Sequence, residues 1–281
     1  MSTLADYRDR PHWSYSALNQ FFNICSLQFY FDRILKLPKT FTPLSLGFGS
    51  AFHRVMEHVA LTRMEGKTPF ATDAADLFQT AFKRQVEDEP DLRFDEDMDI
   101  ESCAKQGRAM CACYVDAIDP EERIISINEA FCVPLTDASG FTLETPLIGE
   151  IDCVAAKDGR VCLVDWKTSA RRWPANKALK EWQPTAFLLG YSRQHNVNEL
   201  PDFKYEVCTK AAKPACEEHV TTRCEDDFHR LASFARLAES MIASEHFSPN
   251  EQSFYCAGCA HADACNAWHR DKARGRVRVA A

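Results

Sequence analysis

No run of about 18 apolar residues occurs in the 281-residue chain, so no membrane-spanning helix is expected. The opening stretch, MSTLADYRDRPHWSY, has no basic start followed by an apolar core and does not read as a secretory signal. A cytoplasmic protein without membrane contact is the expectation. No internal repeat or low-complexity tract is visible. Positive charge is in short supply: 33 Lys and Arg face 41 Asp and Glu, a formal net charge of −8. That argues against a protein that coats nucleic acid non-specifically, and leaves room for a local basic patch. A complete phosphate-binding loop is missing too. Gly66-Lys67-Thr68 has the ending of one, but position 61 is Leu where the first glycine is required, and a helical pattern precedes it. A nucleotide-driven motor is excluded.

What is present is ordinary globular composition, 46% hydrophobic and 26% charged, which suits a single enlarged domain. Cysteine is not scarce. In a reducing compartment the thirteen cysteines read as buried thiols plus a metal site, not as a disulfide framework.

The most informative stretch is Gly149 to Ser169, GEIDCVAAKDGRVCLVDWKTS. Two β-rich runs flank Asp158-Gly159, a dipeptide suited to a tight hairpin because both central residues of a type I′ turn need positive φ. A two-residue loop sets Lys157 opposite Arg160, so opposed residues have numbers summing to 317 and Asp152 faces Asp165. Alternation puts Asp165 and Lys167 on one face and Cys162, Val164 and Trp166 on the other. Opposed carboxylates repel. A divalent cation between them reverses the sign, and hard oxygen donors suit Mg²⁺ or Mn²⁺. The hairpin alone also fits an ordinary surface turn whose Lys167 neutralises two acids.

Around it the chain reads mainly as helices. Residues 14–37 begin with Ser14 and Ser16, either able to cap, and continue with Leu18, Phe21, Phe22, Cys25 and Phe29 at helical spacing. Residues 47–64 form a second helix, capped by Ser50, with His53 and Glu57 four apart on one face. Residues 71–118 are helical with an acidic interruption at EDEPDLRFDEDMDIE; Cys103, Cys111 and Cys113 there read as packing residues. Residues 124–134 are a strand carrying Glu129, an acid near the sheet edge. Arg171, Arg172 and Lys177 make a basic turn around Trp173, suited to phosphate contact and equally to plain solvation. Residues 203–224 are a further hairpin. Residues 226–245 are a helix whose Phe228, Leu231, Phe234, Leu237 and Met241 face the core. Near the end come Cys256, Cys259 and Cys265, spaced C-x2-C-x5-C. With His269 they make a local set that zinc accepts. The tail, residues 270–281, is basic.

Taken in order, these features resemble the PD-(D/E)XK nuclease superfamily, closest to its RecB-type branch with the CRISPR-associated RecB-like exonucleases. Gly-Ser-x-x-His-x-x-x-Glu, with His53 and Glu57, is similar to motif I; Gly149-x-Ile151-Asp152 and Asp165-x-Lys167-Thr168 are similar to motifs II and III. The resemblance implies an α/β restriction-endonuclease-like core with a mixed central sheet flanked by helices. It implies Asp152, Asp165 and Lys167 as catalytic residues. His53, Asp152, Asp165 and the Trp166 carbonyl would be ligands of Mg²⁺ or Mn²⁺, with Glu57 as a supporting partner of His53. It also implies a [4Fe–4S] cluster on Cys25, Cys256, Cys259 and Cys265, with Zn²⁺ as the rival. The family commonly has Gln-x-x-x-Tyr after the hairpin; this chain has Gln183-x-x-x-Phe187, with Tyr191 four further on. Gln183, Tyr191, Arg171 and Arg172 are thus candidate substrate contacts. Residues 47–245 would be the nuclease core, 1–46 and 246–269 a helical cap joined by the cluster, and 270–281 a basic tail. The implied activity is a metal-dependent DNA exonuclease acting at ends or on single strands in recombination, repair or CRISPR adaptation, with DNA and recombination or CRISPR adaptation proteins as partners. A catalytically silent DNA-end-binding subunit and a zinc-stabilised interaction module are the alternatives.

Overall fold

The computed structural model describes residues 3–94 and 98–273. Chain order begins with α1 (Leu4–Arg8) and α2 (Tyr15–Asn19), which widens into a π-helical turn at Gln20–Ile24. Cys25 breaks the helix with extended backbone and caps α3 (Ser26–Phe29), which widens again over Tyr30–Ile34. Then follow β1 (Thr42–Pro43), α4 (Leu44–Met64), α5 (Ala71–Asp88), β2 (Leu92–Arg93) and α6 (Ile100–Asp116). The sheet is built from β3 (Arg123–Val133), β4 (Leu147–Lys157) and β5 (Arg160–Ser169). After α7 (Lys177–Lys180) and α8 (Gln183–His195) come β6 (Asp202–Thr209), β7 (Cys216–Thr221), α9 (Glu225–Ala243) and α10 (Ala262–Ala273). No described helix is long and apolar enough to cross a membrane.

Five strands form one mixed sheet in the order β3-β4-β5-β6-β7. All neighbours are antiparallel except β5 and β6, which run parallel and are joined by a crossover through α7 and α8. Helices cover both faces. One apolar layer packs α2, α8 and α9 on the sheet through Leu18, Phe131, Leu188, Phe203 and Phe228. The other packs α4, α5 and α6 through Phe48, Phe52, Phe78, Phe82 and Trp166. Phe131 is fully buried between β4 and α8, so tightly that a Cβ on Gly149 would lie 2.4 Å from its ring and one on Gly190 2.5 Å.

The Ser14 cap forms as expected, its Oγ accepting from the Ala17 N–H at 3.2 Å. Ser50 does not cap. The helix begins at Leu44 because Leu44, Gly47, Phe48 and Ala51 are all buried, and packing overrides the poor helical propensity of the glycines. Leu237 is 48% exposed. The buried stripe of α9 instead runs through Phe228, Leu231, Ala232, Ala235 and Ala238, small residues that let the helix approach closely. One pair departs from the reading of the cysteines as thiols: Cys208 and Cys216, opposed on β6 and β7, are joined. Antiparallel register sets them side by side.

The two chain ends meet. Leu27 N donates to the Ser248 carbonyl at 3.2 Å, and Ser26 Oγ donates to the same oxygen at 3.1 Å. Thr40 Oγ1 donates to the Ala260 carbonyl at 2.9 Å. Of the basic tail, residues up to 273 extend α10, and 274–281 lie outside the described residues; so do residues 95–97 of the acidic interruption.

Candidate active site

The hairpin turn has Asp158 at φ 52° and Gly159 at φ 77°, the two positive values a type I′ loop requires. The β4–β5 ladder runs from Lys157↔Arg160 to Cys153↔Val164, each pair summing to 317. It stops there. One residue further, Asp152 does not continue the ladder. Its Oδ2 accepts the main-chain N–H of Trp166 at 3.1 Å. The acidic pair therefore sits where the β4–β5 ladder ends.

Asp165 is 1% exposed. Its Oδ1 accepts the side-chain amide of Gln183, at the start of α8, and its Oδ2 is ion-paired with Lys167. His53, from the middle of α4, brings Nδ1 to 3.4 Å from Asp152 Oδ2. Burial, then the neighbouring Asp165, pushes the Asp152 carboxyl well above the usual range; Lys167 and the Trp166 N–H oppose this. Burial holds His53 below its ordinary value, favouring neutral imidazole, while Asp165 pulls the other way. Glu57, one turn along α4, adds negative charge felt by Asp152 and Glu150. The buried Asp165, the half-buried Asp152 and the His53 imidazole are donor types whose chemistry suits a hard divalent cation.

Two residues near this group lay outside the sequence reading. Tyr205 is the register partner of Asp165 across the parallel β5–β6 ladder, and Lys167 Nζ lies 5.7 Å from its ring centroid. Tyr15 is half-buried, its phenol pushed up by desolvation and by the Glu181 and Asp165 charges; it donates to Glu181 Oε2 at 3.3 Å. The signal for Tyr205 would have been the β6 alternation, had its parallel neighbour been known. Tyr15 carried no sequence signal of its own.

Among the expected substrate contacts, Gln183 lies in the site. Arg171 and Arg172 follow the end of β5 on the exposed side; Arg172 pairs with Glu217 at 2.9 Å. Lys177 lies over the Trp173 ring at 4.3 Å, and Trp173 meets Tyr205 edge-on at 4.9 Å, so this basic turn borders the site. Tyr191 is not brought there. Eight residues beyond Gln183, it lies about 12 Å further along α8. Its ring packs on His195 at 4.3 Å, and it lines a cavity beside Gly159 and Arg160 at the turn end of the hairpin. Phe187 is buried against Phe131, which accounts for the missing hydroxyl. Glu129 is held by Ser126, Gln194 and His195 on β3 and does not join the acids.

A second group forms where the chain ends meet. Cys25, Cys256, Cys259, Cys265, His261 and His269 line one cavity of about 340 Å³. Gln28 Nε2 donates to Cys259 Sγ at 3.4 Å. Burial raises the Cys265 thiol, and the nearby Cys25, Cys259 and Cys256 raise it further. Among the described residues no group of three or more His, Cys, Asp or Glu side chains is placed to hold a metal ion. What the fold supplies is four sulfurs around one cavity.

The profile of the PD-(D/E)XK nuclease superfamily matches residues 12–266. The chain belongs to that superfamily, and its mixed sheet flanked by helices fits the restriction-endonuclease-like fold. Among solved structures, a candidate exonuclease from Eubacterium rectale aligns with TM-score 0.51 at 11% identity, over 90% of each chain. The protein SSO0001 aligns with TM-score 0.36 at 14% identity, over 84% of this chain and 91% of that one, too distant to bear on the fold. No curated protein matches the sequence.

Proposed function

We propose that the chain is a Mg²⁺- or Mn²⁺-dependent DNA exonuclease of the RecB type, acting at DNA ends or on single strands. One observation carries the reading: Asp152, Asp165, Lys167 and His53 converge on one patch at the point where the β4–β5 ladder ends. Asp152, Asp165, His53 and the Trp166 carbonyl would hold the cation. When bound, it supplies a Lewis acid for the phosphodiester and lowers the pKa of a water. Lys167 orients that water and offsets charge developing on the phosphoryl oxygens. Gln183 fixes the rotamer of Asp165. Arg171 and Arg172 contact backbone phosphates, and a local basic turn suits this better than the net charge of −8 suggests. The assignment of the Eubacterium rectale protein as a candidate exonuclease agrees with this reading.

Cys25, Cys256, Cys259 and Cys265 would ligate a [4Fe–4S] cluster that staples residues 1–46 to 246–269 around the 47–245 core. The shared cavity supports this assignment. The local zinc set with His269 is its rival. Recombination, repair or CRISPR adaptation proteins would supply the DNA ends.

The test is cleavage of end-labelled single- and double-stranded DNA by anaerobically purified protein with Mn²⁺, Mg²⁺ or EDTA, beside Lys167→Ala. Metal-dependent degradation is expected, with loss of about 10²–10³ in turnover in the variant and DNA binding retained. No cleavage with intact DNA binding would turn the reading to a silent DNA-end-binding subunit.

A further inference from the structure

β5 has two faces. One carries Asp165 and Lys167. On the other the Trp166 side chain is 1% exposed and enters a buried polar network. Its Nε1 donates to Tyr114 Oη at 2.9 Å and to Glu206 Oε2 at 3.1 Å. Tyr114 Oη donates to that same Glu206 oxygen at 2.7 Å. The other oxygen of Glu206 lies 2.8 Å from Lys204 Nζ, and Lys204 also meets Glu122 at 2.7 Å and Glu218 at 2.9 Å. Lys204 is 6% exposed, so it offsets carboxylates that would otherwise be costly to bury.

The main chain of Trp166 lies against the candidate centre. Its N–H donates to Asp152 at 3.1 Å, and the His53 ring stands edge-on to the indole with centroids 6.2 Å apart. On the β6 side this stretch of β5 is held by the parallel ladder. On the β4 side the ladder has already ended at Val164. The backbone there meets Asp152 through the carboxylate and not through main-chain ladder bonds. The indole clamp restrains that backbone from the opposite face of the sheet.

We propose that Tyr114 and Glu206 are positioning residues for the nuclease centre: by clamping the Trp166 indole they fix the main chain that orients Asp152 and His53. This rests on the nuclease reading above. Neither residue touches substrate; both act through Trp166.

Tyr114→Phe removes one hydroxyl and keeps the ring. Mn²⁺ binding to the full chain, followed by titration calorimetry, is expected to weaken about 10-fold or more, with kcat falling by a similar factor and KM for DNA unchanged. Glu206→Gln moves the same readouts in the same direction, and carries the test alone if Tyr114→Phe does not fold. Asp137→Asn, which disturbs a loop bonded to Arg236 on α9, is the stability control: it lowers Tm without weakening Mn²⁺ binding. Folded Tyr114→Phe and Glu206→Gln proteins with wild-type Mn²⁺ affinity and kcat would overturn the inference. So would an equal loss of affinity in Asp137→Asn. Wild-type protein that neither binds Mn²⁺ nor cleaves DNA would sink the nuclease reading and this inference together.

Discussion

Gln183 donates its side-chain amide to Oδ1 of Asp165, and both residues are buried. The bond reaches from the first residue of α8 to the middle of β5, so the crossover helix sets the Asp165 rotamer. Gln183→Leu leaves that carboxylate oxygen buried without its donor. Turnover is expected to fall about 10- to 100-fold. Steady-state cleavage of labelled DNA, with Tm measured on the same preparation, separates this from loss of fold.

Cys25→Ala removes a sulfur from the cavity shared with Cys256, Cys259 and Cys265. The expected outcome is loss of bound iron and of visible absorbance, with a lower Tm, because the cluster would staple the two chain ends. Iron and zinc are quantified in the purified protein. Retained metal in Cys25→Ala, together with release in His269→Ala, would hand the site to the zinc set.

Gly149 precedes the motif II acid by three positions, and a methyl there would meet the Phe131 ring at 2.4 Å. Phe131 has no room to retreat, since Gly190 of α8 presses on its other side. Gly149→Ala should cost about 1–3 kcal/mol from overpacking, read from urea unfolding at neutral pH. An unchanged midpoint would show that the β4–α8 interface yields.

Asp137 accepts from Ser139 and pairs with Arg236 at 2.8 Å, contacts that lower its carboxyl to about 2. Its folded pKa lies below the ordinary value of 3.8, so its contribution is fully present above that value and is lost as pH falls towards 2. The Tm difference between wild type and Asp137→Asn should be constant at neutral pH and shrink between pH 4 and about 2. A difference that persists at pH 2 would assign the effect to loop packing.

Much of the site was legible because its signals are local. The Asp158-Gly159 turn fixed the 317 register, and alternation then put Asp165 and Lys167 together and turned Trp166 away. The Gln183 and His53 assignments came from motif resemblance, and both residues reach the acids. Tyr191 failed because helical periodicity fixes a face but not which end of the helix meets the sheet. Leu237 failed because a run of alanines outcompeted larger side chains for close packing.

By itself the sequence determined the hairpin, its register, the helices around it and the order of the motifs, since turn chemistry and periodicity act over a few residues. Only the tertiary structure decided that β6 runs parallel to β5. That pairing sets Tyr205 beside Asp165 and Glu206 beneath Trp166. It also decided that Gln28 reaches Cys259 across 231 residues. These contacts depend on which apolar faces close on one another, a choice made by packing two helical layers on a single sheet.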